Sequence, residues 1–232
     1  MIDVFIFDLD GVIIDSSADL AFGVNEMLVH FGFAPLPEKT LISFVGNGAR
    51  KLVERALFAS SHGKIGADFD KFEEALLWYV AFYFENPVKK TILYPRVRFL
   101  LENLQNRGKK NALLTNKPAK IAKKILDILD VSQFFDSVAG PELILQKKPA
   151  PDGIFYSLEQ INKKYCMNYT TKNAIMIGDS AVDMQAGKSA HCLTAGVTGG
   201  LGNKEKLIFE KPDIILNFAG DLIEKIDWLD SL

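Results

Sequence analysis

The chain has 232 residues, 48% of them hydrophobic, and its 27 basic and 29 acidic side chains leave a formal net charge of −2. That length and apolar content suffice for one large domain or for a core with a smaller insert, and the near-even charge balance argues against nucleic acid as a main partner. Cys166 and Cys192 have neither metal nor redox spacing, and the scattered His30, His62 and His191 argue against a zinc site or a histidine-based triad.

In chain order, Val4 to Phe7 is a short apolar run that reads as a buried strand, with Asp8, Asp10 and Gly11 at its exit. Residues 18–31 then carry Leu20, Val24, Met27, Leu28 and Phe31 at helical spacing, stopped by Gly32. Pro35 and Pro37 mark a loop, residues 38–45 and 49–59 read as helices, and 69–84 is a further helix closed by Asn86-Pro87. Its aromatic run, Trp78, Tyr79, Phe82, Tyr83 and Phe84, is expected to pack rather than to stack on a ligand. Residues 17–87 are therefore expected to form a helical domain inserted into a core made of 1–16 and 88–232.

From about residue 92 strands and helices alternate. Helices are expected at 96–107, 118–129, 151–164, 181–189 and 219–230. Strands are expected at 111–115, Ser137–Ala139, 174–177, His191–Val197 and Asp213–Leu216. Such alternation predicts an α/β fold, a doubly wound parallel sheet covered on both faces. Gly199-Gly200-Leu201-Gly202 reads as a flexible connection. The first residues enter a strand directly, without a charged and then apolar leader pattern. No apolar run approaches the ~20 residues needed to span a bilayer. A cytoplasmic protein with no membrane partner, monomer or homodimer, is the expectation.

The chemistry gathers at strand exits. Asp-x-Asp-Gly alone is also a common turn, but here a buried strand precedes it and a second acid pair lies far downstream. Residues 175–183, Ile-Met-Ile-Gly-Asp-Ser-Ala-Val-Asp, form another apolar strand ending in Asp179 and Asp183. Clustered carboxylates repel unless a cation or a proton separates them, so a Mg²⁺ site explains them economically. A third apolar run ends in Thr115-Asn116, and Lys147-Lys148-Pro149 puts a cation in a loop before a helix. A carboxylate nucleophile, a second acid, a hydroxyl, a lysine and metal-binding acids together make a phosphoryl-transfer set.

Four ordered motifs, Asp8-Leu9-Asp10-Gly11, Thr115-Asn116, Lys148-Pro149 and Gly178-Asp179-Ser180 with Asp183, resemble those of the haloacid dehalogenase superfamily, over nearly the whole chain. The resemblance implies that Asp8 is the nucleophile and Asp10 the general acid/base. It further implies that Thr115 and Asn116 bind phosphoryl oxygens and that Lys148, rather than Lys147, bridges nucleophile and phosphate. Mg²⁺ would be held by the Asp8 side chain, the Asp10 backbone carbonyl and Asp179, with Asp183 in support. Superfamily dehalogenases carry an aromatic residue in place of Asp10 and phosphonatases an alanine, so Asp10 points to phosphate esters.

The resemblance also makes the helical insert a cap, hinged near Asp15–Ala18 and near Pro87–Leu93. Its Gly46–Leu57 segment closely resembles phosphoglycolate phosphatases, which implies that the Gly48 loop, with Arg50, contacts a small substrate carboxylate. Val12 departs from that group, which often has threonine there. The implied activity is Mg²⁺-dependent hydrolysis of a small phosphate ester through an aspartyl-phosphate, with 2-phosphoglycolate the leading substrate. A pyrophosphatase, or a sugar-phosphate phosphatase or phosphomutase, is the close alternative. A phospho-acceptor signalling module is distant, since receiver domains are about half this length and lack a helical insert.

Overall fold

The computed structural model describes residues 1–232, which divide into two compact units. The first comprises Met1–Asp15 and Ile92–Leu232, the second Ser16–Thr91.

The first unit is built on a six-stranded, wholly parallel sheet. Its strands are β1 (Val4–Phe7), β4 (Lys110–Leu114), β5 (Ser137–Ala139), β6 (Ala174–Gly178), β7 (Leu193–Val197) and β8 (Ile214–Leu216), in the order β5-β4-β1-β6-β7-β8. The unit's helices are α5 (Val97–Asn106), α6 (Ala119–Ile128), α7 (Asp152–Tyr165), α8 (Ala181–Ser189), α9 (Lys204–Phe209) and α10 (Ile226–Ser231). All four β1 residues are buried, because a central parallel strand is covered on both faces. Val4 and Ile6 join Ala112, Leu114, Ala174 and Met176 under Ile154, Leu158 and Ile161 of α7 and Ala186 of α8. Phe5 and Phe7 point the other way by the two-residue period of a strand, and Phe7 meets Phe135 edge-on at 6.4 Å.

From β1 the sheet grows in two directions, through β4 and β5 on one side and then through β6, β7 and β8 on the other, with Phe7 opposite Leu113 and Ile177. That is a topological switch point, the place where an open α/β sheet leaves a crevice beyond its strand ends. The same unit holds a short antiparallel ribbon, β2 (Ile14–Asp15) with β3 (Ile92–Leu93).

The second unit is helical: α1 (Ser17–His30), α2 (Glu38–Ile42), α3 (Ala49–Ser60) and α4 (Phe72–Glu85). Its aromatics pack on one another. Trp78 stacks on His30 and Phe82, with ring centroids 4.8 and 5.0 Å apart, and Tyr79 lies 6.0 Å from Tyr83. Asp19, buried near the start of α1, accepts bonds from the backbone N–H groups of Lys89, Lys90 and Thr91 and from the Thr91 hydroxyl. The entry and exit of this unit are thus clasped by one carboxylate.

Two expectations need correction. The last helix is not continuous over 219–230: a 3₁₀ segment runs Ala219–Lys225 and α10 follows. Gly220 sits so close to Pro95 that a Cβ there would lie 2.4 Å from its carbonyl oxygen, which holds this turn tight against the loop before α5. The helix expected over 38–45 stops at Ile42. No helix is long and apolar enough to cross a membrane.

Candidate active site

The exits of β1, β4 and β6 build the site. Asp8 follows β1 directly, and its N–H donates to the Ile177 carbonyl of β6 at 2.9 Å. This bond carries the sheet ladder one residue past the strand and holds the Asp8 backbone between its neighbours. Gly11 turns the chain with φ +85°, in the left-handed region that favours glycine. A Cβ there would lie 1.8 Å from Asp179 Oδ2, so glycine is also what lets the two acidic loops approach.

The loop before α7 supplies the cation. Lys148 is buried, whereas Lys147 is exposed. Lys148 Nζ lies 2.8 Å from Asp8 Oδ1 and 2.6 Å from Asp183 Oδ1, and it donates to the Leu114 carbonyl at 2.9 Å. The three donor directions of the ammonium therefore tie together the exits of β1 and β4 and the start of α8.

Asp183 occupies the third position of α8, where its other oxygen accepts from the backbone N–H and the hydroxyl of Ser180. This capping box satisfies two orphan donors of the helix start and orients the carboxylate. Asp179 Oδ2 accepts from the backbone N–H groups of Leu201 and Gly202 at 2.7 and 2.8 Å. The 199–202 segment, read from sequence as a flexible connection, thus has a defined task. A Cβ on Gly202 would stand 2.2 Å from the Asp179 carbonyl oxygen.

One carboxylate oxygen from each of Asp8, Asp179 and Asp183 lies within 4.8 Å of the others. Asp10 is not in this trio by its carboxyl group, which instead pairs with Lys117 Nζ at 2.7 Å. Thr115 is buried at the end of β4, where its Oγ1 accepts from Lys117 N–H at 3.1 Å. The hydroxyl proton is thereby left to donate elsewhere. Asn116 Nδ2 donates to the Lys148 carbonyl at 3.3 Å, bracing the lysine loop.

Gly48 and Arg50 lie in the helical unit. Gly48 precedes α3 with φ +86°, and Arg50 pairs with Glu73 at 2.7 Å, both side chains more than half exposed. Asn47 Oδ1, between the two glycines of that loop, accepts from Arg55 at 2.9 Å.

Electrostatics follow from burial. The Asp8 carboxyl is pushed up to about 7 by burial and by the charges of Asp183 and Asp10, with Lys148 pulling the other way. Asp179 is raised well above the usual carboxylate range by burial and by Asp183 and Asp8. For Lys148, burial opposes the charge, but Asp183 and Asp8 outweigh it and hold the amine protonated. Tyr94, stacked on Phe218 at 5.6 Å, has its hydroxyl pushed above the usual range by burial and by Asp15, Asp179 and Asp10.

A family model described as haloacid dehalogenase-like hydrolase matches residues 5–197. The chain belongs to that family. The phosphoglycolate phosphatase of Aquifex aeolicus is 34% identical over 225 residues, covering 97% of this chain and 96% of its own length. That of Psychrobacter arcticus is 38% identical over 198 residues, with coverage of 84% and 83%. A crystal structure described as a predicted phosphoglycolate phosphatase from Haemophilus somnus superposes with a TM-score of 0.87, at 29% identity, covering 97% of this chain and 98% of that one.

The segment Thr115-Asn116-Lys117-Pro118 is itself similar to phosphoglycolate phosphatases, but that likeness gives Lys117 no role, and the 199–202 donors lie outside every motif. Lys117 adjoins Thr115-Asn116, yet its tie to Asp10 depends on the pairing of β1 with β4. Backbone N–H donors such as those of Leu201 and Gly202 leave no side-chain signature at all.

Proposed function

We propose that this hydrolase is a Mg²⁺-dependent phosphatase acting on a small phosphomonoester, with 2-phosphoglycolate its substrate. The observation that carries the reading is the convergence of Asp8, Asp179, Asp183 and Lys148 at one switch point. Relatives named phosphoglycolate phosphatase, matched over 96% and 83% of their own lengths, support the substrate.

The donor set fits a hard divalent cation. Three close carboxylates face one ammonium, and two of them have their charged forms disfavoured by burial and mutual repulsion. Asp8, the Asp10 carbonyl and Asp179 would hold Mg²⁺, with Asp183 in support. When bound, the ion supplies charge stabilisation to the transferring phosphoryl group.

The chain's own residues then divide the work. An Asp8 carboxylate oxygen attacks phosphorus, and the ester P–O bond breaks. Asp10 gives its proton to the departing alkoxide, so that glycolate leaves neutral at that oxygen. Water next attacks the phosphorus of the Asp8 acyl-phosphate and Asp10 takes its proton. The bond between phosphorus and the Asp8 oxygen breaks, releasing phosphate and restoring both acids. Lys148 steadies Asp8 and the phosphoryl oxygens, and Thr115 and Asn116 donate to those oxygens.

The assignment of residues 17–87 as a cap over a core of 1–16 and 88–232, with Gly48 and Arg50 as substrate contacts, belongs to the same proposal. A panel of phosphate esters with and without Mg²⁺, measured as kcat/KM, tests it. The expected result is a maximum at 2-phosphoglycolate that vanishes in chelator and in Asp8→Asn. A maximum at a sugar phosphate or at pyrophosphate would replace the substrate assignment, and chelator-resistant turnover would remove the metal.

A further inference from the structure

Lys117 stands four residues past Leu113, on the strand whose register sets Leu113 beside Phe7, and Asp10 stands three residues past Phe7. The two strand exits therefore run alongside each other, and Lys117 Nζ reaches Asp10 Oδ1 at 2.7 Å. The lysine side chain is 8% exposed and that of Asp10 16%. At its other end Lys117 is fixed by its own N–H, which donates to Thr115 Oγ1.

We infer that Lys117 is the positioning residue for Asp10, holding its carboxyl group beside the oxygen that leaves from phosphorus. This rests on the phosphatase reading above and deepens it. A carboxyl group three residues past a strand end, partly open to solvent, has several rotamers within reach, and proton transfer is efficient from few of them. A lysine that donates to Asp10 Oδ1 from the neighbouring strand exit removes that freedom in either protonation state, and leaves the other oxygen to carry the proton that is transferred. Ion pairs buried to this degree contribute little net stability, since desolvation offsets the attraction. The pair is therefore better explained by geometry than by folding energy. One side chain braces two members of the site at once: its backbone orders the Thr115 hydroxyl and its ammonium orders Asp10.

A positioning role makes a prediction that a structural role does not. Esters with poor leaving groups need the proton from Asp10, and esters with good leaving groups do not. The test measures kcat/KM of the full chain with Mg²⁺ on aryl phosphates from p-nitrophenyl to phenyl and on alkyl phosphates whose leaving alcohols carry no charge. Wild type, Lys117→Met, Lys117→Gln and Lys117→Arg are compared. Ratios between substrates within one variant cancel any difference in folded fraction, and uncharged leaving groups remove direct binding of the ammonium to substrate. For Met and Gln the loss on alkyl phosphates is expected to exceed that on p-nitrophenyl phosphate by about tenfold or more, a share of the roughly 10²–10⁴ available from general acid catalysis. Arg, which keeps a donor toward Asp10, is expected to fall between. Equal loss on all substrates, or none, in both Met and Gln overturns the role of Lys117. A wild type inactive on every ester with Mg²⁺ overturns the phosphatase reading instead.

Discussion

Lys148 Nζ and Asp183 Oδ1 are 2.6 Å apart, with side chains 1% and 0% exposed. The lysine comes from the loop before α7 and the acid from the first turn of α8. Two buried charges of opposite sign at this separation depend on each other, because either alone faces the full cost of desolvation. The same ammonium reaches Asp8, so the pair that secures two loops also steadies the proposed nucleophile.

Replacing Lys148 with Met therefore has two expected effects. Urea unfolding should show a loss of about 3–5 kcal/mol, the usual cost of leaving a buried charge without its partner. Phosphatase turnover should fall to background even in the fraction that remains folded. Wild-type stability in this variant would mean that the pair is not what holds the loops.

Metal and pH should act on stability together. Asp8, near 7, and Asp179 hold protons in the folded chain at pH values where the unfolded chain, with carboxylates near 4, has lost them. The folded state then binds more protons than the unfolded one between about pH 4 and 7, so stability without metal falls as pH rises through that window. A divalent cation stabilises the ionised carboxylates. Added Mg²⁺ should accordingly raise Tm more at pH 7.5 than at pH 5, as read by calorimetry in chelator and in excess Mg²⁺. Equal shifts at both values would contradict a site built on these acids.

Asp19 carries the opposite sign. Burial alone would raise its carboxyl, but the bonds from Lys90, Thr91 and Lys89 outweigh burial and hold it below the usual range. It contributes stability above the unfolded value near 4, and that contribution is lost as pH falls through the lower folded value. Asp19→Ala is expected to cost about 1.5–3 kcal/mol at pH 7, within the range for bonds to a charged acceptor. The difference from wild type should shrink in acid, measured by urea titration across pH.

Gly202→Ala should weaken metal use rather than substrate binding. The added methyl meets the Asp179 carbonyl oxygen and displaces the two N–H donors from Asp179 Oδ2. Outer partners of metal ligands typically contribute about 10–100-fold in affinity. The Mg²⁺ concentration for half-maximal activity should rise in that range while KM for the ester changes little.

The strand exits are legible in the sequence because packing alone gives no reason for a buried apolar run to end abruptly in paired acids. Lys148 is separable from Lys147 through the resemblance of Lys148-Pro149 to the family's motif. Less is legible where three-dimensional register decides. The ribbon of Ile14–Asp15 with Ile92–Leu93 is too short to show a period, and the clasp of Asp19 on residues 89–91 spans 70 positions. Asp10 and Lys117 lie 107 residues apart, and only the pairing of Phe7 with Leu113 makes them neighbours. The final helix departs from its apolar spacing because that spacing says nothing of the contact between Gly220 and Pro95.

The central claim is that the Asp8 carboxylate takes the phosphoryl group. Acid quench within the first turnovers on 2-phosphoglycolate with Mg²⁺, followed by peptide mass spectrometry, reads it directly. The account predicts phosphate on the peptide carrying Asp8, absent in Asp8→Asn; steady turnover with phosphate on another residue, or undiminished turnover by Asp8→Asn, would contradict it.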